Sequence, residues 1–357
     1  MKIAILMFGQ PRFLEHTINL INEEFTLPGH EVHYFAYFWN KISYVPHTQE
    51  IEYDKSEIYS LLKSQPNSIL PNPPSQKNIV IKDYEELDSV CNSILQFIDL
   101  HKRNLPISRR CEIPELRYKF GQHWSIKRGF DRIVSYEKEN NFKYDIIIKA
   151  RTDIVYSVKE NYRDEEEYYK IKEDMYTDLN FNVPMVKCAA LRYVDITEKL
   201  NGKSTEHNIP MRVFYKNHIL FHKNEDIKYD PLNEVGWTKH TENYKQRLAF
   251  NDWTLIANRE GAEIMFTNWF DNYFLTLTKD IKNNNQSDWF ISQSDHCLLG
   301  QLAINYNLAV RKISPRRDIR LIHPDEVNVK KNIDRHGKIK VESESQIRED
   351  ILKHKFK

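Results

Sequence analysis

Glycine is scarce in this chain, with 9 among 357 residues beside 14 prolines, and so little of either argues against long flexible linkers. The four cysteines, Cys91, Cys111, Cys188 and Cys297, are scattered and show no C-x-x-C spacing. With no signal peptide in evidence, that pattern points to free thiols in a reducing, cytoplasmic setting. No apolar run approaches the ~20 residues needed to cross a bilayer. Neither sign of charge prevails: 52 Lys and Arg stand against 51 Asp and Glu, a formal net charge of +1. This balance argues against a dedicated nucleic-acid or anionic-membrane binder, though it leaves room for a local basic patch. What the chain does have is apolar material, 40% hydrophobic and 12% aromatic residues, too much for a disordered protein. At 42.9 kDa it can bury a sizeable core in one large or two modest domains.

The stretch that organises the rest is Lys143 to Tyr156, K-Y-D-I-I-I-K-A-R-T-D-I-V-Y. Three isoleucines after Asp145 predict a strand buried on both faces of a parallel sheet. The strand then ends in Arg151-Thr152-Asp153, and a cation and a carboxylate at the mouth of a buried strand are costly to desolvate without partners. Ligands of open α/β sheets bind at the carboxyl ends of strands. Asp153 therefore faces a metal or a ligand hydroxyl with Arg151 nearby, or the two form a structural pair closing a turn.

Lys2 to Phe8 is a continuous apolar run, the candidate central first strand, cut by Gly9-Gln10-Pro11-Arg12. Phe13, Thr17, Leu20 and Ile21 follow at helical spacing. A strand, a glycine turn and a helix is the usual opening of a nucleotide-binding α/β domain, in which backbone N–H groups approach an anion and Arg12 adds a full charge. With one glycine it is neither the dinucleotide fingerprint nor a Walker loop, and a plain turn with Arg12 on the surface remains the alternative. His30 to Trp39 predicts the second parallel strand, its Trp39 either stacking on a ligand ring or packed in the core. Short helices are expected at Tyr59–Leu62 and Tyr84–Leu87, and a small edge strand at Val80-Ile81. Gln122 to Asn140 carries Ile126, Phe130, Ile133 and Val134 on one helical face, with Gln122, Ser125 and Arg128 in its first turn, pointing to one rim of the sheet.

Arg163 to Tyr176, charged and rich in tyrosine, reads as a solvated helix. Leu179 to Asp230 reads as a β-rich insertion holding Met211–Tyr215 and His218–His222, whose two histidines lack a third ligand at metal spacing. Ala249 to Ala257 reads as an apolar strand interrupted at Asn251-Asp252, followed by an amphipathic helix from Glu260 to Tyr273. Ser294 is placed to cap a helix with Asp295 in its first turn, where a carboxylate favours the helix dipole. Leu308-Ala309-Val310 and Leu321-Ile322-His323 are short late strands, and beyond Asn328 the chain is highly charged.

The opening I-A-I-L-M-F-G-Q-P-R, the aromatic strand ending F-W, the helix leading through K-Y-D-I-I-I-K-A-R-T-D-I-V, and F-N-D-W-T-L-I-A-N-R-E-G-A-E-I-M together resemble GT-A-type glycosyltransferases. Within that fold they look most like the bacterial, phage and large-virus proteins of surface-glycan synthesis. The likeness covers about half of the chain in patches, and their order and spacing carry it. It implies an α/β fold with a GT-A-like, Rossmann-type mixed sheet flanked by helices and a β-rich insertion. It also implies a nucleotide-sugar-binding half at 1–160, an acceptor-binding half at 161–330 and a charged tail at 331–357.

The activity so implied is transfer of a sugar from a nucleotide-diphosphate sugar, UDP- or GDP-linked, to a glycan or other hydroxyl acceptor. Gly9, Gln10, Arg12, Trp39, Ser125, Arg128 and Arg151 would hold the nucleotide sugar. Asp153, with His323 as a second ligand, would hold Mn²⁺ or Mg²⁺, hard ions that suit oxygen ligands. Asp295 or Asp252 would take the proton from the acceptor hydroxyl. The chain departs from the family's D-x-D motif in one respect, since Arg151 stands where the first carboxylate is expected. A catalytically degenerate binding protein on the same fold is the alternative that this departure supports.

Overall fold

The computed structural model describes residues 1–43, 50–52, 55–63, 78–87, 113–155, 164–177, 182–188, 191–195, 206–208, 212–214, 219–221, 246–250, 253–283, 295–313 and 320–321, with isolated positions at 89, 92, 96 and 179. Its centre is β1 (Lys2–Gly9), buried along almost its whole length. β2 (Glu31–Trp39) lies parallel to it on one side and β6 (Ile146–Ala150) parallel on the other. After β2 the chain forms the antiparallel pair β3 (Lys41–Ser43) and β4 (Glu50–Glu52), and outside β2 runs β5 (Ile79–Lys82), the edge strand expected from Val80-Ile81. Beyond β6 come β14 (Thr254–Asn258), β8 (Met185–Cys188) and β15 (Ala309–Lys312), completing seven strands. β14 alone is antiparallel to its neighbours. Counted along the chain, the sheet runs third, second, first, fourth, sixth, fifth, seventh, with the sixth reversed. This is a mixed, Rossmann-type α/β sheet flanked by helices.

The strands alternate cleanly between two cores, as a period of two dictates when both faces are covered. Ala4, Leu6 and Phe8 of β1 and Ile147 of β6 face one layer. That layer holds α3 (Ile113–Asn140), α5 (Arg259–Asn283) and α6 (Asp295–Asn305). Ile3, Ile5 and Met7 with Ile146 and Ile148 face the other, which holds α1 (Leu14–Phe25), α2 (Lys55–Lys63) and α4 (Glu165–Thr177). Two glycines set the spacing of the first layer. A Cβ on Gly129 of α3 would come within 2.5 Å of Leu6 Cδ1, and one on Gly261 of α5 within 2.3 Å of the Met185 carbonyl oxygen. Asn258 begins α5 by accepting from the Gly261 N–H at 2.8 Å, and its side chain also accepts from Met185 N at 3.1 Å, so one residue fixes both helix start and strand contact.

Several sequence expectations change here. α3 begins at Ile113, so Gln122, Ser125 and Arg128 lie in its body and not in its first turn. α4 is a helix solvated on one face, whereas its other face, Tyr168, Lys172, Met175 and Tyr176, is buried. Lys172 donates to the Thr26 carbonyl at 2.7 Å and to that of Glu23, and Tyr176 donates to Phe25 O at 2.7 Å, so α4 satisfies carbonyls at the end of α1. The stretch read as one β-rich insertion is divided. β8 joins the central sheet, whereas β9 (Leu191–Asp195) pairs with β10 (Glu206–Asn208) and β13 (Gln246–Phe250), and β11 (Arg212–Phe214) pairs with β12 (Ile219–Phe221). The interrupted strand around Asn251-Asp252 is likewise two strands, β13 and β14, in different sheets. No described helix is long and apolar enough to cross a membrane.

Candidate functional site

Strand order reverses between β1, whose chain continues into β2, and β6, which arrives from the far side. The carboxyl ends of these two parallel strands therefore border a switch-point crevice, the place where open α/β sheets bind ligands. β1 ends in Gly9 at φ +82°, where an added Cβ would meet nothing within 4 Å, so the left-handed backbone and not crowding is what calls for glycine. Phe13, immediately before α1, also holds a left-handed conformation at φ 53° with its side chain buried. A bulky residue there is strained, and such strain persists where surrounding structure imposes it. Between the two, Arg12 is carried to the rim.

Arg12 donates through Nε to Gln10 Oε1 at 2.9 Å, and its Nη1 lies 3.6 Å from Asp153 Oδ2. Arg151 grips the same carboxylate with both arms, Nε to Oδ1 at 2.8 Å and Nη2 to Oδ2 at 2.7 Å. The side chains of Asp153 and Arg151 are 12% and 19% exposed, against 30% for Arg12, so the pair sits in a partly desolvated wall with Arg12 at its mouth. Thr152 donates its hydroxyl to Gln10 O at 3.2 Å, and Thr17 Oγ1 of α1 donates to Thr152 O at 2.8 Å. These bonds tie the turn after β1 to the turn after β6.

Gly9, Gln10, Arg12, Arg151 and Asp153 thus come together at one rim of the sheet. Trp39, Ser125 and Arg128 do not join them. Trp39 is 2% exposed, donates Nε1–H to Gly121 O at 3.1 Å and meets the rings of Tyr37 and Tyr84 edge-on, so the core alternative holds for it. Ser125 is buried and bonds back to the same Gly121 carbonyl at 2.6 Å. Arg128 pairs with Asp131 at 2.9 Å on the exposed side of α3, over the Trp124 ring. Asp295 is the first residue of α6. Asp252 and His323 lie outside the described residues, as do the ring positions of His218 and His222. The elements beside Asp252 and His323 nonetheless reach this rim: Thr254 lies opposite Ala150, and Leu321 of β16 (Arg320–Leu321) opposite Ile154 of β7 (Ile154–Val155).

Sequence reasoning passed over Thr17 and Thr152, and also Lys149, a fully buried lysine on β6 whose Nζ lies 4.6 Å from the Phe8 ring centre and 4.9 Å from that of Trp269. The available signal was a lysine closing a run of isoleucines, a position that forces a cation into a core and so demands aromatic faces or other partners.

A divalent cation is a poor match to the carboxylate as it stands. Asp153 faces two guanidiniums, and two unit charges ~4 Å apart at an effective dielectric of ~20 interact by about 4 kcal/mol, repulsive between ion and arginine and doubled for a dication. Among the described residues no group of three or more His, Cys, Asp or Glu side chains is placed to hold a metal. The arrangement suits an anion.

No family model and no curated protein matches the chain. Among solved structures, the apo form of mouse xyloside xylosyltransferase 1 aligns over 86% of this chain and 83% of its own, with a TM-score of 0.34 and 7% identity. The galactosyltransferase LgtC, in complex with donor and acceptor sugar analogs, aligns over 99% of this chain and 96% of its own, with a TM-score of 0.30 and 8% identity. At these values neither likeness carries an argument for fold or activity.

Proposed function

We propose that this chain is a glycosyltransferase that moves a sugar from a nucleoside-diphosphate sugar to a hydroxyl acceptor, at the crevice between the ends of β1 and β6. The observation that carries the reading is the placing of Arg12 and Arg151 around Asp153 at that switch point. In such a transfer the bond from the anomeric carbon to the diphosphate oxygen breaks and a bond to the acceptor oxygen forms. The diphosphate leaves with its charge, which a cationic site must stabilise as it develops. A divalent ion or paired guanidiniums can supply that charge. The acceptor's proton passes to a carboxylate, for which Asp252 and Asp295 are the candidates. The sequence resemblance and the mixed sheet with its single reversed strand support the same class. The scattered cysteines fit a reducing, cytoplasmic setting.

Incubation with UDP-, GDP- and CMP-linked sugars, with release of the free nucleotide followed by chromatography, tests the reading. Release from the UDP- or the GDP-linked class, lost in Arg12→Gln, is the expected result, and release from the CMP-linked class alone would contradict a diphosphate donor. The bidentate Arg151–Asp153 pair favours a second reading, a degenerate binding protein in which the carboxylate is permanently engaged. Tight nucleotide binding with neither hydrolysis nor transfer to any sugar acceptor would select it.

A further inference from the structure

We propose that Arg12 and Arg151 themselves neutralise the phosphates of the bound nucleotide, without a divalent ion, and that Asp153 is the positioning residue that holds the two guanidiniums together. The inference rests on reading the crevice as a nucleoside-diphosphate site and adds to it the source of the countercharge.

The geometry of Asp153 carries it. A carboxylate that ligates Mg²⁺ or Mn²⁺ offers its oxygen lone pairs to the ion and works in a net negative oxygen cage. Here each oxygen accepts from one arm of the Arg151 fork, at 2.8 and 2.7 Å, and Arg12 approaches Oδ2 at 3.6 Å. Seating a dication on Asp153 requires the carboxylate to release or share an oxygen beside two fixed positive charges. An incoming phosphate is of opposite charge to both guanidiniums and needs no oxygen of Asp153. Arginine is also the side chain whose planar fork matches phosphate oxygens.

The scaffold holds this cluster rigidly. Gln10 Oε1 fixes Arg12 Nε at 2.9 Å, and Thr152 and Thr17 lock the two turns together by bonds of 3.2 and 2.8 Å. A cation pair fixed before the ligand arrives does not have to be ordered on binding, the condition for strong electrostatic stabilisation. Asp153 makes the arrangement possible, since two guanidiniums this close in a partly desolvated wall repel one another without a carboxylate between them.

Calorimetric titration of the full chain with UDP and with GDP, once in excess EDTA and once in Mn²⁺, tests the inference. The nucleotide that binds is expected to do so with dissociation constants within about threefold in the two buffers, because the protein's own charges supply the site. Arg12→Gln and Arg151→Gln should each weaken binding by roughly tenfold or more, the scale of a lost charge-assisted hydrogen bond. Arg151→Lys should weaken it as well, since an ammonium keeps the charge but loses the fork. Circular dichroism melts confirm folding of each variant, and Arg12, the most exposed of the three, carries the test if Arg151→Gln does not fold. Binding that is present in Mn²⁺ and abolished by EDTA overturns the inference and leaves the nucleotide-sugar reading standing. Absence of binding by either nucleotide in both buffers overturns both.

Discussion

Thr17, in the first turns of α1, donates its hydroxyl to the carbonyl of Thr152, a residue 135 positions later in the chain, at 2.8 Å. Both threonines are buried, and Thr152 in turn donates to Gln10 O at 3.2 Å. The two turns that carry Arg12 and Arg151 are thereby joined through backbone carbonyls, so the distance between the two guanidiniums is set by the scaffold as well as by Asp153. Thr17→Val keeps the side-chain shape, removes the donor and leaves a buried carbonyl short of a partner. A loss of about 1–3 kcal/mol in urea unfolding is expected. A change below a few tenths would show that the bond is not formed in solution.

Glu137 of α3 is the acid of a buried pair. Arg259 donates to it through Nε at 2.9 Å and Nη2 at 2.9 Å, and the Tyr144 N–H donates to Oε1 at 2.9 Å. Removing Glu137 leaves Arg259 with only the exposed Glu263, 2.9 Å from its Nη1, as a partner for a largely buried charge. Glu137→Ala should cost about 3–5 kcal/mol of stability in chemical denaturation. The double change Glu137→Met with Arg259→Met should cost markedly less than either residue's loss alone, because no charge is left behind.

The helix-to-sheet contacts in the first layer predict an ordering of two alanine substitutions. Gly129→Ala presses on a leucine methyl that can shift, and a cost of about 1–3 kcal/mol is typical of such overpacking. Combining it with Leu6→Val should recover part of the loss. Gly261→Ala presses on the Met185 backbone carbonyl, which cannot move without displacing β8. Thermal melts should rank Gly261→Ala as the more damaging, and the reverse order would contradict the close approach of α5 to β8.

His33 predicts a dependence of stability on pH. Its pKa is lowered from the ordinary 6.5 chiefly by burial, with Glu31 acting in the opposite sense and Lys2 with it. Its Nδ1 lies 2.6 Å from the Tyr144 hydroxyl and its Nε2 lies 3.3 Å from Glu31 Oε1, so the neutral tautomer that carries its proton on Nε2, facing the carboxylate, leaves Nδ1 to accept from the phenol. The folded state therefore binds fewer protons at this site than the unfolded chain does. Stability contributed by neutral His33 is complete above pH 6.5 and declines as the pH falls below it, through the lowered folded value. His30, also lowered by burial, adds a slope of the same sign. Unfolding free energies measured between pH 7.5 and 5 should fall with pH, and His33→Gln should fall less steeply than the wild type. Equal slopes would show that His33 titrates alike in both states.

Hydrophobic patterning was enough to locate the strands nearest the middle of the central sheet and the residues that end them. Lys2 to Phe8 and the isoleucines after Asp145 had no other way to be buried than between two covered faces, and Gly9, Arg12, Arg151 and Asp153 interrupt those runs where a strand must stop. Local patterning could not show that α3 extends back to Ile113, because Gly121 and Gly129, which lower helix propensity, are retained for close packing on Trp39 and Leu6. Nor could it separate β13 from β14, or assign β8 to the central sheet, since short apolar runs look alike and partner choice is made across long sequence separations. It took the packed fold to put Trp39 and Ser125 in the core, to bury a lysine of α4 against the end of α1, and to bring two arginines to Asp153. Each of these depends on what lies opposite a side chain in space, and charge pairing in a desolvated wall is a property of the neighbours that the fold brings together.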